Sequence, residues 1–272
     1  MMRSRTLSST ATELRVEAAR PTAPRSTRIT TELSGGRARF SVLDQGLYLA
    51  PRPVHGTGNP LHLRVALIGI HMMLLGGDDV RIEVSVGSGV TLEVVEPAGL
   101  VAYDADLVPS RWSLHAEVGE NAALIWDGAS FVSAGGSNVH RETRLRLASG
   151  ARALLRETLV LGRSGEPGGR LRSITRATGP DGDCLYEDLD LTGPRDRAVG
   201  ILGSSKIVAS TTAVGWRPAV LPPDSGTEPH RARRFELAAP GAVARSLSDQ
   251  AHTADGEAGA VFSAWRDELT GF

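Results

Sequence analysis

The chain has 272 residues, 41% hydrophobic and 22% charged, which is ordinary globular composition with enough length for a sizeable core. Its 30 basic and 31 acidic residues leave a net charge of −1, which argues against a general nucleic-acid binder, where a basic excess is expected. The single cysteine, Cys184, excludes an internal disulfide and a thiol-based zinc knuckle, and points to a reducing compartment.

In chain order, residues 1–10 are rich in Ser, Thr and Arg and read as disordered, with 11–272 as one β-rich domain. The N-terminus lacks an apolar h-region and no apolar run reaches the length of a membrane span, so a cytoplasmic protein is expected. Leu14, Val16 and Ala18 alternate with charged residues and predict a first strand. Arg28 to Leu33, a turn at Gly35-Gly36, and Arg39 to Val42 predict a hairpin. Residues 51–60, PRPVHGTGNP, read as a loop by composition. The longest apolar run, Val65 to Leu75, is interrupted by His71 and reads as a buried strand pair or a buried helix. Gly76-Gly77-Asp78-Asp79 then makes a tight turn.

Four segments follow with the form strand, turn, strand. Their turn residues are Gly89, Asn121, Gly150 and Gly182, spaced by 32, 29 and 32 residues. Gly and Asn tolerate the positive φ that such turns need. A supersecondary unit recurring at this interval predicts stacked layers in a β-helix-like, all-β fold, each unit covering its neighbour's open face. Ordinary meander hairpins of similar length are the alternative. Beyond the repeat, Ala198 to Thr212 holds two more apolar runs around Gly203, and residues 217–230 form a Pro-rich loop. Val261, Trp265 and Leu269, with Phe262, predict a short amphipathic helix packed on the sheet.

Read with a period of two, the stretch from Gly150 to Glu166 puts Leu155, Leu159 and Leu161 on one face together with Glu157, and Leu154, Arg156, Thr158 and Val160 on the other. A carboxylate among leucines is costly unless a cation, a donor or water satisfies it. Glu187 likewise shares a face with Leu185, Leu189 and Leu191, and Glu96 follows Leu92 and Val94. Glu96 and Glu157 both lie seven residues beyond their turn residue. These three acids form a polar lining able to pass a divalent cation or water, or else each pairs with an arginine such as Arg156 or Arg163. The seven histidines show no local chelate spacing, and His71 in its apolar run reads as a core residue. Cys184 reads as a lone buried thiol, with soft-metal binding beside Asp183 as the functional reading. The acid pairs Asp78/Asp79, Asp181/Asp183 and Asp188/Asp190 lack calcium-loop spacing, and the last pair has the opposite parity to Glu187, toward solvent. Walker A, nucleophile-elbow, H-E-x-x-H and dinucleotide fingerprints are absent, and Gly162 to Glu166 reads as a tight turn after a strand rather than a phosphate loop.

Several motifs in order resemble the urease accessory protein D family, called the H protein in some bacteria. They are Gly76 to Asp79 before the first unit; Pro97, Ala98 and Tyr103 after it; Glu157, Leu161, Gly162, Arg163, Gly165 and Glu166 within RETLVLGRSGE; and the Asp181-Gly182 turn followed by Glu187. The resemblance spans residues 14–215. Departures are Glu96-Pro97 in place of Thr-Pro, Val101-Ala102 where the family has a Lys before Tyr103, and Asp127 to Ser130 in place of Leu-Pro-Gln-Glu. The resemblance implies a β-helix-like stack and a non-enzymatic urease maturation factor with no cofactor of its own. It implies a complex with the F accessory protein and the GTPase G accessory protein that binds apo-urease, and a water-filled route for nickel through the D protein. On that reading Glu96, Glu157 and Glu187, with Asp78 in the turn, are the candidate residues for nickel in transit. The rival reading, a β-solenoid hydrolase or carbohydrate-acting enzyme with paired carboxylates, requires two acids about 5–9 Å apart in an open cleft. Such enzymes also carry exposed aromatics, whereas aromatic content here is 4%.

Overall fold

The computed structural model describes residues 25–55, 58–192, 202–219 and 232–271. The expected disordered 1–10 and the strand expected at Leu14 to Ala18 lie outside the described residues, as do the first run before Gly203 and most of the Pro-rich stretch 217–230.

The predicted hairpin is present as β1 (Thr27–Ser34) and β2 (Arg37–Asp44). A second antiparallel pair, β3 (Leu49–Val54) and β4 (His62–Gly69), follows. Part of the stretch expected to be a loop is therefore an edge strand. Pro51 and Pro53 lack an N–H, and an edge strand is where a sheet tolerates that loss. The run Val65 to Leu75 is neither a strand pair nor a helix. Its strand ends at Gly69, and the chain then turns irregularly, with Leu74 at φ 61°. Met73 and Leu74 are buried there, while Met72 and His71 are exposed, so His71 is not a core residue.

Three strand–turn–strand units then cross from one sheet to another. They are β5 (Asp79–Val86) with β6 (Thr91–Val95), β8 (Ser110–Val118) with β9 (Ala123–Ser133), and β10 (Asn138–Leu147) with β11 (Arg152–Leu161). A short strand, β7 (Leu100–Ala102), lies between the first two units and pairs with β9. Each crossing is a four-residue corner, closed by Val90 N–H to Gly87 O, Ala122 N–H to Gly119 O and Ala151 N–H to Ala148 O, all at 3.1 Å. The third corner residue has positive φ in every copy: Gly89 72°, Asn121 54° and Gly150 67°. The corners also bond to one another, Gly89 N–H to Glu120 O at 2.9 Å and Asn121 N–H to Ser149 O at 3.0 Å. The strands accordingly stack parallel and in register, as a layered β-solenoid requires.

The fourth unit departs. β12 (Arg170–Gly179) continues the first sheet, but β13 (Gly182–Asp190) folds back on it as an antiparallel hairpin across a two-residue turn. The second sheet is continued instead by β14 (Ile207–Val214), β16 (Gly241–Ser248) and the short edge strand β15 (Arg233–Glu236), all antiparallel. The first sheet thus has the order β13-β12-β10-β8-β5-β1-β2 and the second β15-β16-β14-β11-β9-β6-β4-β3.

Period-two alternation sends one face of each sheet into a shared core that includes Ile82, Val84, Leu92, Val94, Leu114, Leu159 and Leu171. The second sheet is buried on its outer face as well, under α1 (Ala251–Thr270). Phe262, Trp265 and Leu269 pack there on Ile125, Leu154 and Ala213, and Thr211 donates to the Ala258 carbonyl at 2.8 Å. The predicted helix is therefore real and longer than expected, ending in a left-handed Gly271 whose N–H reaches Asp267 O. Two covered faces also explain why β11 is apolar on both: Leu155, Leu159 and Leu161 face the other sheet, while Leu154 and Val160 face the helix side.

At Gly150 an added Cβ would lie 2.3 Å from Asn121 Oδ1, on a backbone already at positive φ. Replacing Gly150 by Val is expected to lower unfolding stability by about 1–3 kcal/mol, measured by urea titration. The same change at Gly165, where nothing lies within 4 Å of the added atom, is expected to cost only the backbone part of that amount.

Candidate functional site

The register of the solenoid decides where its acids point. Val95, Asp127 and Arg156 are neighbours on one rung of β6, β9 and β11. One step beyond that rung stand Glu96 and Glu157, so their equivalent spacing from the corners is retained in space. Between them β9 carries one extra residue: Asp127 and Ser130 pair with Arg156 and Thr158, so residues 128 and 129 sit opposite Glu157 alone.

Glu157 faces the interior and forms an ion pair with Arg141 of β10. Glu187 enters from β13 in the first sheet and takes a bidentate grip from Arg245 of β16 in the second, 2.8 Å on each oxygen. Arg245 also donates to Ser210 Oγ at 3.0 Å. Glu96 accepts from Trp126 Nε1 and from the bulged Ala129 N–H, each at 3.1 Å. The three acids therefore do face inward. The arginines expected beside them do not reach them: Arg156 lies on the helix side against Asp127 at 2.7 Å and Asp255 at 3.5 Å, and Arg163 closes on Glu166.

Arg141 is the residue that sequence reasoning passed over. It alternates with Val139, Thr143, Leu145 and Leu147 along the inward face of β10 and is only 8% exposed. Its guanidinium lies 4.2 Å from the centroid of the Trp112 ring and 5.6 Å from that of Phe131. The alternation alone could have revealed it. Burial pulls the Arg141 guanidinium down to about 10, partly offset by the charge of Glu96. Burial likewise pushes the Glu96 carboxyl above its ordinary value, against the pull of Arg141 and the two donors on its oxygens.

Two cavities meet this polar string. A cleft of about 480 Å³ is lined by Ile70, His71, Met72, Glu96, Tyr103 and Trp112, among others. A much smaller cavity of about 30 Å³ lies between the sheets, lined by Trp112, Trp126, Arg141, Glu157, Glu187 and Ser210. Trp112 borders both. Asp78 is not part of this string. Its carboxylate accepts from Tyr48 Oη at 3.0 Å and from the Leu75 N–H at 2.9 Å, fixing the irregular chain that runs along the cleft.

The other chemistry-bearing residues are engaged elsewhere. Asp188 and Asp183 bind Arg172 and Arg176 of the neighbouring strand at 2.6 and 3.0 Å. On the outer face of the first sheet, Glu142 and Glu117 hold Arg144 and Arg146 at 2.7 and 3.2 Å. Gly162 to Glu166 is a turn tied to the end of β9 by the Gly162 N–H to Ser133 O bond, and within it Glu166 accepts from the Arg163 side chain and N–H, an arrangement that holds its carboxyl at about 2. Cys184 is half-buried, and burial raises its thiol with help from Asp181 and Asp183. His62 and Glu93, also missed from the sequence, form a buried pair at 3.3 Å on the outer face of the second sheet, with Arg64 at 3.3 Å and Arg266 of α1 at 4.0 Å. Burial pushes the Glu93 carboxyl up, but His62 and the two arginines outweigh it and leave the group below its ordinary value. Among the described residues no three His, Cys, Asp or Glu side chains converge as a metal-holding group, and no helix is long and apolar enough to cross a membrane.

Residues 68–272 match the family model described as UreD urease accessory protein. Urease accessory protein UreD 1 of Streptomyces griseus is 44% identical over 236 residues, covering 86% of this chain and 89% of that protein. Urease accessory protein UreD of Streptomyces coelicolor is 36% identical over 212 residues, 75% of this chain and 81% of the relative. A protein of the same name from Parafrankia is 32% identical, covering 80% of both chains.

The raised Glu96 carboxyl has a pH signature. A folded-state value above the unfolded one means that the native chain holds a proton that the unfolded chain releases. The associated stability is present below the ordinary value of 4.5 and is lost as pH rises through the folded-state value. Glu96→Gln, which keeps a neutral amide there at all pH, is expected to flatten that decline. Urea titrations of both proteins at a series of pH values above 4.5 check it, and parallel curves would contradict it.

Proposed function

The chain belongs to the UreD family of urease accessory proteins, and from that membership we propose that it is a urease maturation factor through which nickel passes on its way to apo-urease. It acts in the cytoplasm as a non-catalytic scaffold, in complex with the F accessory protein and the GTPase G accessory protein. The names of the relatives support the maturation role. The observation that carries the nickel route is the inward string Glu96, Glu157 and Glu187 beside two cavities that share the wall residue Trp112.

The chemistry of the string suits cargo in transit. Carboxylates take borderline divalent cations without the near-permanent grip of thiolates. Glu96 stands at the cleft, and Glu157 and Glu187 stand at the inner cavity. Nickel would enter at the cleft, where His71 and Met72 supply an imidazole and a thioether, and would move inward from one carboxylate to the next. Asp78 serves this route from outside, by holding the chain that forms the mouth.

The test is reconstitution. Co-expression with the F and G accessory proteins and apo-urease is expected to give a co-purifying assembly, and nickel-dependent urease activation that falls when this chain is left out. Absence of both association and dependence would overturn the reading. Within it, Glu157→Gln is expected to fold and to lower the activation rate by roughly tenfold or more, the loss of about 1.4 kcal/mol or more at one station. Activation unchanged by that variant would remove Glu157 from the route.

A further inference from the structure

The inner cavity contains a cation already. Arg141 carries the charge that Glu157 needs, and it lines the inner cavity together with Glu157 and Glu187. A route for a divalent cation that is lined by a buried guanidinium is blocked by repulsion unless that guanidinium can leave its carboxylate. We propose that Arg141 is a displaceable counter-ion, a resident cation that an incoming divalent metal ion exchanges for on Glu157 and Glu96. The inference rests on the nickel-passage reading and adds how that passage is regulated.

Three features of the site carry it. The first is proximity. Arg141, Glu157 and Glu187 line one small cavity of about 30 Å³, so a cation taken up by Glu157 there meets the guanidinium directly. The second is incomplete satisfaction. Arg141 is more than nine-tenths buried, yet its Nε has no hydrogen-bond partner. A guanidinium that served only to tie the sheets together would be expected to have its donors filled, as the bidentate Arg245 pair comes closer to doing. The third is support that does not depend on the carboxylate. The Trp112 and Phe131 rings already lie against the guanidinium, so it keeps these partners when Glu157 turns to a metal ion.

The exchange is a swap of counter-ions and makes or breaks no covalent bond. Glu157 passes from the guanidinium to the metal, and Glu96 supplies a second oxygen donor from across the bulge in β9. The arginine keeps the empty site from holding whichever cation is abundant, and it returns when the metal moves on toward Glu187. It is a positioning residue that sets the affinity of the acids and touches no reacting atom.

Nickel chloride titrations of the purified full-length chain test this, with bound metal read by equilibrium dialysis and the combined emission of the four tryptophans, Trp112 and Trp126 among them, read by fluorescence. Wild type is expected to bind weakly. Arg141→Met, which leaves Glu157 without its counter-ion, is expected to bind at least tenfold more tightly, with a change in tryptophan emission. The double variant Arg141→Met with Glu157→Gln is expected to return to wild-type affinity or below. Should Arg141→Met fail to fold, Arg141→Gln keeps one donor on Glu157 and is read in the same way. Nickel affinity of the arginine variant no higher than wild type overturns the proposal. The two readings separate cleanly. If Arg141→Met tightens binding while Glu157→Gln leaves urease activation intact, the counter-ion role stands and the passage falls. If Glu157→Gln abolishes activation while the arginine variant binds as wild type does, the counter-ion role falls alone.

Discussion

Everything in this fold depends on the corner that carries a unit from one sheet to the next. Four residues with a positive φ at the third make a turn that does not fold the chain back on itself, and backbone hydrogen bonds from one corner to the next lock the turns into a column. Once the corners are stacked, the strands on either side have no freedom to slip, because a one-residue shift would send every side chain to the wrong face. The equivalence of Glu96 and Glu157 is a consequence of that column. Where the corner is replaced by a two-residue turn, at residues 180 and 181, the chain doubles back and the solenoid ends.

The second constraint is the cost of the charges so placed. Charged groups between two sheets are expensive unless paired, and pairing at best offsets their desolvation. The fold meets this with two reciprocal clamps. Glu157 on the second sheet reaches Arg141 on the first, and Glu187 on the first reaches Arg245 on the second. Replacing both clamps by leucines of similar volume would make an ordinary sandwich core, so stability alone does not account for them. The clamps stand among other polar side chains, Thr143, Thr175, Ser210 and Thr212, so the layer between the sheets is polar at this level. Two of the three stretches at which this chain departs from the family pattern also meet there, since Glu96 accepts from the Ala129 N–H within residues 127–130. The bulge that presents this N–H has Gly128 at its centre, where an added Cβ would stand 2.5 Å from the Arg156 carbonyl oxygen.

Much of this was legible in the sequence because it rests on local rules. Gly and Asn at turn positions, the two-residue period and the interval between turns sufficed for the first three layers and for the inward parity of Glu157 and Glu187, and a spacing of four marked the helix around Trp265; the same interval also predicted a fourth layer at Gly182, where the chain folds back instead. The failures also have local causes. The prolines of residues 51–60 spell a loop unless one knows that the segment is an edge strand, which is a property of the sheet and not of the segment. The run from Val65 to Leu75 mixes residues buried by β4 with others, Met73 and Leu74, buried by a loop, and hydrophobicity does not distinguish the two. His71 was misplaced for the same reason, and His62 and Glu93 were overlooked because Arg266, which approaches Glu93 from α1, lies more than 170 residues further along the chain.

By itself the sequence determined the strand periodicity, the corner chemistry and which face each acid takes, because side-chain parity follows from the backbone of a single strand. It also carried the ordered motifs by which the family is recognised. Only the tertiary structure decided which arginine meets which acid. Those partners belong to strands of the opposite sheet, and nothing short of the stacked register brings them together. So Arg156 and Arg163, adjacent in the chain, turned out to serve the helix side and a surface turn. Arg141, 16 residues before Glu157 and on the facing sheet, is the one that closes the interior.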